Sequence, residues 1–343
     1  MAKKAASQSL VHRKSGDRVT LRTISDATGL SLSTVSLALR GGVSLKAETK
    51  QKVDDAARRL GYIPDRAGVR LRTGKTNVIA LVLDSTGNSI DFAGNLIRGI
   101  GREISNTRYH LTVVPEFERG STGTVRYILD HRTADGIIVT HTAKRDPRIE
   151  MLLGANFPFV THGRTEFESP HPFHDFDAEA FVAMAVERLA RLGCKNLVLV
   201  SGDDGTNNHR NIAGAFRQFL ASAGLVGTVV DWGPAGGHAA ELRRLGSELA
   251  ATRPDGILCD TELRAISLLG GLQDGGLTPG SDVHVIYKQT SDIVPTVYPG
   301  IDSIEEDVPA AGSKLTRLLM RRIAGELPEA LQSLSYPVCR WRQ

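Results

Sequence analysis

The stretch TISDATGLSLSTVSLALRGG, Thr23 to Gly42, holds two short runs of helical periodicity split by one glycine. Thr20 can cap a helix from Leu21, with Leu21, Ile24 and Ala27 on one face. Gly29 tolerates the positive φ that a tight turn needs. Ser31 can cap a second helix in which Val35, Ala38 and Leu39 face inward, while Leu32, Ser33, Ser36 and Leu37 fall on other faces. A third helix opens at Ser44 or Leu45, buries Val53, Ala56, Ala57 and Leu60, and stops at Gly61. Three short helices with a tight turn between the first two make a helix-turn-helix unit. Its second helix is short because it need only lie in a major groove. The small polar residues at its start let backbone and side chains approach phosphates and base edges.

Charge distribution supports that reading. Residues 1–75 carry sixteen Lys and Arg against six Asp and Glu, a net of +10, whereas the rest of the 343-residue chain is net −6. A small basic head on a mildly acidic body points to contact between the head and a polyanion. The three cysteines, Cys194, Cys259 and Cys339, are far apart and form no CxxC pair. That argues against a disulfide framework or zinc site and fits a reducing cytoplasm. The start has charges but no apolar core, so it does not read as a secretory signal. No run approaches the ~18 apolar residues of a membrane span. The expectation is a cytoplasmic protein with no membrane contact and no cofactor.

VTLRTISDATGLSLSTVSLALRGG, with LKAETKQKVDDAARRLGYIPDRAGVRLRTGKTNVIALVLD after it, closely resembles the start of LacI (lac repressor) family regulators. The resemblance continues, at lower specificity, to the end of the chain. It begins after a basic stretch at 1–18 that reads by composition as a disordered arm, and it implies a helix-turn-helix domain at 19–63. A hinge helix and linker follow at 64–76, then an effector-binding and dimerisation body of two lobes at 77–343. It places Thr20, Leu32, Ser33, Thr34, Ser36 and Leu37 at the DNA surface. Leu32 and Ser33 occupy the paired base-reading positions, and Thr34 and Ser36 hold phosphates. Leu37 stands where many members have arginine, so a guanine-reading fork is replaced by apolar contact, for example with a thymine methyl. In the hinge, Pro64 sets direction and Asp65 can cap a short helix. The resemblance makes Leu71 the apolar wedge that enters the minor groove. Arg66, Arg70, Arg72 and Lys75 supply phosphate contacts. Gly68 stands where alanine is common, which costs ~1 kcal/mol of helix propensity. TGKT at 73–76 is no phosphate loop, because its glycine spacing is wrong and it precedes a strand.

In the body, apolar runs alternate with helical segments. NVIALVLD, HLTVVPEF, GIIVT and FPFVTHG read as buried strands, and the pattern restarts with NLVLVSG, TVVDWG, GILCD and VHVIYK. This is an α/β fold of two similar lobes with parallel sheets, a plan shared with periplasmic sugar-binding proteins. Ligands in such folds sit beyond the carboxyl ends of the strands. By family position the effector contacts are Asp91, Phe92, Thr140, Asn207, Asn211, Trp232, Thr261 and Gln289. Trp232 either stacks on a sugar face, as the resemblance implies, or fills the core. Asn211 replaces an arginine common in the family, with Arg210 beside it. Lys288-Gln289-Thr290 replaces the usual paired aspartates. Lys288 is therefore either a surface residue or, with Arg210 or His209 across the cleft, part of a cationic pocket for an acidic or phosphorylated sugar. HPFHDFD, 171–177, is read as a crossover loop ending in a helix cap at Asp177 rather than as a metal site. No Ser/His/Asp order stands out, so nothing points to catalysis. The expected protein is a homodimeric repressor that reads a pseudo-palindromic operator in double-stranded DNA and answers a sugar-like small molecule. The alternatives are a corepressor-dependent or activating regulator, and an enzyme carrying a DNA-binding head.

Overall fold

The structure is a computed structural model that describes residues 19–41, 44–63, 68, 70, 73–84, 92–118, 120–202, 205–231 and 239–342. They divide into two compact units, 1–75 and 76–343.

The first unit holds α1 (Leu21–Thr28), α2 (Leu32–Ala38) and α3 (Ala47–Leu60). Thr20 and Thr23 cap α1 reciprocally, each backbone N–H donating to the other's hydroxyl, at 3.2 and 3.4 Å. Gly29 ends the helix at φ 68°. Ser31 caps α2 by accepting from Thr34 N–H at 3.2 Å. Ile24, Val35, Ala38, Val53, Ala56 and Ala57 form one small core, with Leu21, Leu39 and Leu60 packed on it. Two expectations change. Thr28, not Ala27, is the buried residue near the end of α1. Its hydroxyl donates to Ile24 O at 2.7 Å, which satisfies a polar group inside the core. The third helix starts at Ala47, with Lys46 at its cap and no side-chain cap bond.

The second unit has two lobes. In the first, β1 (Val78–Asp84), β2 (His110–Glu116), β3 (Gly136–Val139), β4 (Phe159–His162), β5 (Phe173–Phe176) and β11 (Gln332–Ser335) form a parallel sheet ordered β11-β5-β4-β3-β1-β2. α4 (Phe92–Ile104), α5 (Gly123–His131), α6 (Pro147–Gly154) and α12 (Val308–Ile323) belong to this lobe. In the second, β6 (Asn196–Ser201), β7 (Val226–Asp231), β8 (Gly256–Cys259), β9 (His284–Gln289), β10 (Asp302–Glu305) and β12 (Val338–Arg340) are ordered β12-β10-β9-β8-β6-β7. Only β12 runs antiparallel there. Its helices are α7 (Ala178–Arg191), α8 (Asn207–Ala223), α9 (Ala239–Thr252), α10 (Glu262–Asp274) and the short α11 (Ile293–Val297). Each lobe has apolar clusters on its sheet, as helices on both faces require.

The chain passes between lobes three times: from β5 to α7, from β10 to α12 and from β11 to β12. The first two passages are built alike. Asp177 (φ −75°, ψ 87°) caps α7 and Asp307 (φ −73°, ψ 83°) caps α12, each accepting from the N–H three residues on, at 2.9 and 2.8 Å. HPFHDFD is thus a strand and a cap, not a loop: Phe173–Phe176 is β5. His171 and His174 are absorbed there, His171 contacting Thr165 Oγ1 at 2.7 Å and His174 contacting Ser333 Oγ at 2.9 Å. β2 and β7 also depart from expectation. They are the outer strands of their sheets, and Val113 and Thr228 are exposed rather than buried.

Glycines set the closest helix approaches. A Cβ on Gly99 of α4 would meet Pro309 O of α12 at 2.0 Å, and one on Gly312 would meet Leu96 O at 2.4 Å. The second lobe repeats the device between α9 and α10, where a Cβ on Gly271 would meet Arg243 O at 1.9 Å. Gly271→Ala should therefore destabilise the protein by about 2 kcal/mol or more through overpacking against backbone. Gly214, within α8, has nothing within 4 Å, so Gly214→Ala should stabilise by about 0.5–1 kcal/mol. Denaturant unfolding of both variants checks the pair of signs.

Candidate functional site

On α2, packing of Val35 and Ala38 against the other helices turns the remaining residues outward. Leu32 is 49% exposed, Ser33 is exposed, and Thr34, Ser36 and Leu37 are half-buried. Ser31 Oγ lies 2.8 Å from both Ser33 Oγ and Thr34 Oγ1, so the hydroxyls form one cluster at the helix start. Arg40 Nε donates to Ser36 O at 2.7 Å and closes the other end. The result is a short helix with a hydroxyl-rich start and an exposed leucine. Gly68, Arg70 and Thr73 are helical, and Arg70 is exposed. Arg66 and Leu71 lie outside the described residues.

The second candidate is the cleft between the lobes. In each sheet the strand order reverses at one place, between β1 and β3 and between β6 and β8. Crevices at such switch points, beyond the carboxyl ends of the strands, are where open α/β sheets bind ligands.

On the first lobe this brings Phe92 together with two residues the sequence reading did not name. The Phe92 ring lies 5.5 Å from His141, edge-on, and 5.5 Å from His162. His141 follows Thr140 at the end of β3 with φ 53°, a conformation that costs energy for a side chain of this size. Arg148, buried and only 1% exposed in its side chain, holds it there. Its Nη2 lies 3.2 Å from each of the carbonyls of Thr140 and His141 and donates to Asp146 at 2.7 Å, while Nη1 donates to Glu116 at 2.5 Å and Nε to Asp146 at 3.0 Å. Thr140 itself is sealed, its hydroxyl 3.3 Å from Val82 O, so His141 and not Thr140 is turned out at this strand end.

Several bonds cross the cleft. Asn207 donates from its backbone to Thr142 O at 3.0 Å and from Nδ2 to Arg164 O at 2.8 Å. Asn95 Nδ2 donates to Thr290 O at 2.9 Å. At the β10–α12 passage Glu306 meets Lys288 Nζ at 3.0 Å and His162 Nε2 at 3.2 Å. The side chains of Lys288 and Glu306 are 11% and 2% exposed. Burial, the largest single influence, pushes the Glu306 carboxyl up. The Lys288 ammonium and the His162 imidazole together outweigh it and hold the group well below the usual carboxylate range. Lys288 also lies 5.2 Å over the Phe176 ring.

This corrects the expectation for Lys288. It is neither a surface residue nor a free cation for an anionic ligand, because its charge is already matched by a buried carboxylate. Gln289 is likewise committed, with Oε1 accepting from Ser303 Oγ at 2.6 Å. Thr261 caps α10, accepting from Arg264 N–H at 3.4 Å. Arg210 is exposed and Asn211 half-buried on α8. Asp91 and Trp232 lie outside the described residues.

The second switch point holds a grouping that sequence order concealed. Ser201 Oγ donates to Asp260 Oδ2 at 2.6 Å and lies 2.8 Å from His209 Nδ1, while Arg264 donates to Asp260 Oδ1 at 2.5 Å. The three residue types of a hydrolytic triad are present, but they are wired differently. In a triad the carboxylate orients the imidazole, and the imidazole takes the serine proton. Here that proton goes to the carboxylate, so the grouping orients side chains and does not generate a nucleophile.

Lys288→Met should leave Glu306 buried with His162 alone and cost about 3 kcal/mol, the scale of breaking a buried pair. Adding Glu306→Gln should recover most of that loss. Thermal unfolding of the single and double variants reads both, and a single variant as stable as the parent contradicts the pairing.

Residues 20–65 match the family described as bacterial regulatory proteins of the lacI family, and residues 186–343 match a periplasmic binding protein-like domain. The chain is 30% identical over 337 residues to the HTH-type transcriptional regulator RafR of Escherichia coli, covering 93% of this chain and 96% of that protein. It is 29% identical over 331 residues to the HTH-type transcriptional regulator AglR of Rhizobium meliloti (strain 1021), covering 91% and 90%. Among solved structures, the lac repressor dimer bound to operator and the anti-inducer ONPF shares the fold with TM-score 0.81 at 19% identity, over 95% of this chain and 98% of that one. The complex of the transcriptional regulator CelR with cellobiose shares it with TM-score 0.68 at 22% identity, over 95% and 99%.

Proposed function

The chain belongs to the lacI family of bacterial regulatory proteins, and from that membership we propose that it represses a carbohydrate-utilisation operon until a neutral sugar enters the interlobe cleft. As a homodimer it reads a pseudo-palindromic operator, one head to each half-site. At each half-site Leu32 and Leu37 offer apolar contact, and the Ser31–Ser33–Thr34 hydroxyls meet phosphate and base edges. The observation that carries the effector class is the Lys288–Glu306 pair. A site whose cation is already neutralised has no reason to select an anion, while aromatic rings beside imidazole and amide groups suit a polyhydroxy ligand. Cellobiose, in the complex of the fold relative, is a ligand of that kind. Coupling follows from bonds that span the lobes, at Asn207, Asn95 and Glu306. A ligand that prefers one lobe arrangement shifts the population of DNA-competent protein by its difference in affinity. No helix among the described residues is long and apolar enough to cross a membrane.

An operator selected from random DNA and labelled for fluorescence anisotropy tests the proposal. At least one of cellobiose, maltose, lactose, melibiose, sucrose or raffinose should weaken operator binding by about ten-fold or more, the usual scale of allosteric coupling. A panel without effect overturns the effector class, and a sugar that tightens binding assigns corepression instead. In the same selection Leu37→Arg should shift the preferred base at one position per half-site while the salt dependence stays nearly constant. An unchanged consensus would remove Leu37 from the reading surface.

A further inference from the structure

We propose that His209 is the hydroxyl acceptor of the second lobe, presenting an unprotonated Nε2 to the ligand because Ser201 and Asp260 lock its tautomer. The inference rests on the neutral-sugar reading and names a contact for it.

A count of protons fixes the tautomer. The Asp260 carboxylate, bonded to Arg264, has only acceptors to offer. Ser201 has one proton, and the 2.6 Å bond to Asp260 uses it. The Ser201 oxygen therefore faces His209 Nδ1, 2.8 Å away, with a lone pair, and Nδ1 must carry the hydrogen. In a neutral imidazole the other nitrogen is then an acceptor. His209 is 7% exposed, yet Nε2 makes no hydrogen bond among the described residues and is not one of the sealed orphan polar atoms. The position is independent of that count. Ser201 ends β6, Asp260 follows β8, and His209 lies in the first turn of α8, so the relay stands at the switch point of the second sheet. At the end of β9, Lys288 is a paired cation with no acceptor, and Gln289 Oε1 already takes the Ser303 proton. A ring nitrogen with a fixed lone pair supplies an acceptor for a sugar hydroxyl.

Calorimetry on the full chain, with the six sugars above as probes, tests this. His209→Phe, which keeps an aromatic ring and loses the acceptor nitrogen, should weaken binding of a bound sugar about ten-fold. His209→Gln, whose amide oxygen can still accept, should recover most of that loss. Ser201→Ala, which frees the tautomer, should weaken binding several-fold with the imidazole still present. A His209→Phe variant that binds as tightly as the wild type, or a His209→Gln variant as weak as His209→Phe, overturns the assignment while leaving the sugar reading intact. A wild type that binds none of the six overturns the sugar reading and this contact with it.

Discussion

Glu306 is the group on which the body of this protein depends. It stands where the chain leaves the second sheet for a helix of the first lobe, and its carboxylate is shared between Lys288 of one lobe and His162 of the other. A buried carboxylate is tolerated only where its charge is matched. Here Lys288 of the second lobe supplies the matching charge and His162 of the first lobe lies 3.2 Å from the same carboxylate, so solvation of one residue constrains how the lobes meet. The same pairing sets the charge that the cleft shows to a ligand. Stability and lobe geometry thus rest on one cluster, and so does the proposed ligand class.

Around that cluster the two lobes repeat each other. Both sheets reverse order once, and both reversals open on the cleft. Two of the three passages between lobes end in an aspartate cap with nearly the same backbone angles. Each lobe brings a helix pair together at glycine, which lets backbones touch and resists sliding. Rigid lobes joined by short, similar passages favour motion of one lobe against the other over deformation within either. The cross-cleft bonds of Asn95 and Asn207 are the contacts that such motion would exchange, and a ligand in the cleft competes for or reinforces them.

Much of this was legible in the sequence, for identifiable reasons. Head helices follow from periodicity, Gly29 and the Thr20 and Ser31 caps, all local signals that local geometry honours. Central strands such as Ile79–Val82 and Leu197–Val200 are buried on both faces and read as plain apolar runs. β5 is equally central, but FHDF carries polar residues that long-range partners satisfy, so HPFHDFD reads as a loop. Site chemistry was hidden for the same reason. The Lys288–Glu306 contact and the Ser201–Asp260 bond join residues far apart in the chain, and no spacing announces them. A lysine read alone is a cation. Read with the carboxylate that folding places beside it, it is half of a neutral pair. Thr140 shows a smaller version of the problem: the strand end was placed correctly, but only the Arg148 bonds reveal that its neighbour His141 is the residue turned out.

Ligand charge is the property that most directly separates this account from the reading of Lys288 as a free cation. Titration calorimetry of the full chain against cellobiose, and against the same disaccharide phosphorylated at the 6-position, measures it. The neutral sugar should bind at least about ten-fold more tightly than the phosphorylated one, a difference of roughly 1.4 kcal/mol or more. Tighter binding of the phosphorylated sugar would contradict it, since that requires Lys288 to leave Glu306 and meet the ligand.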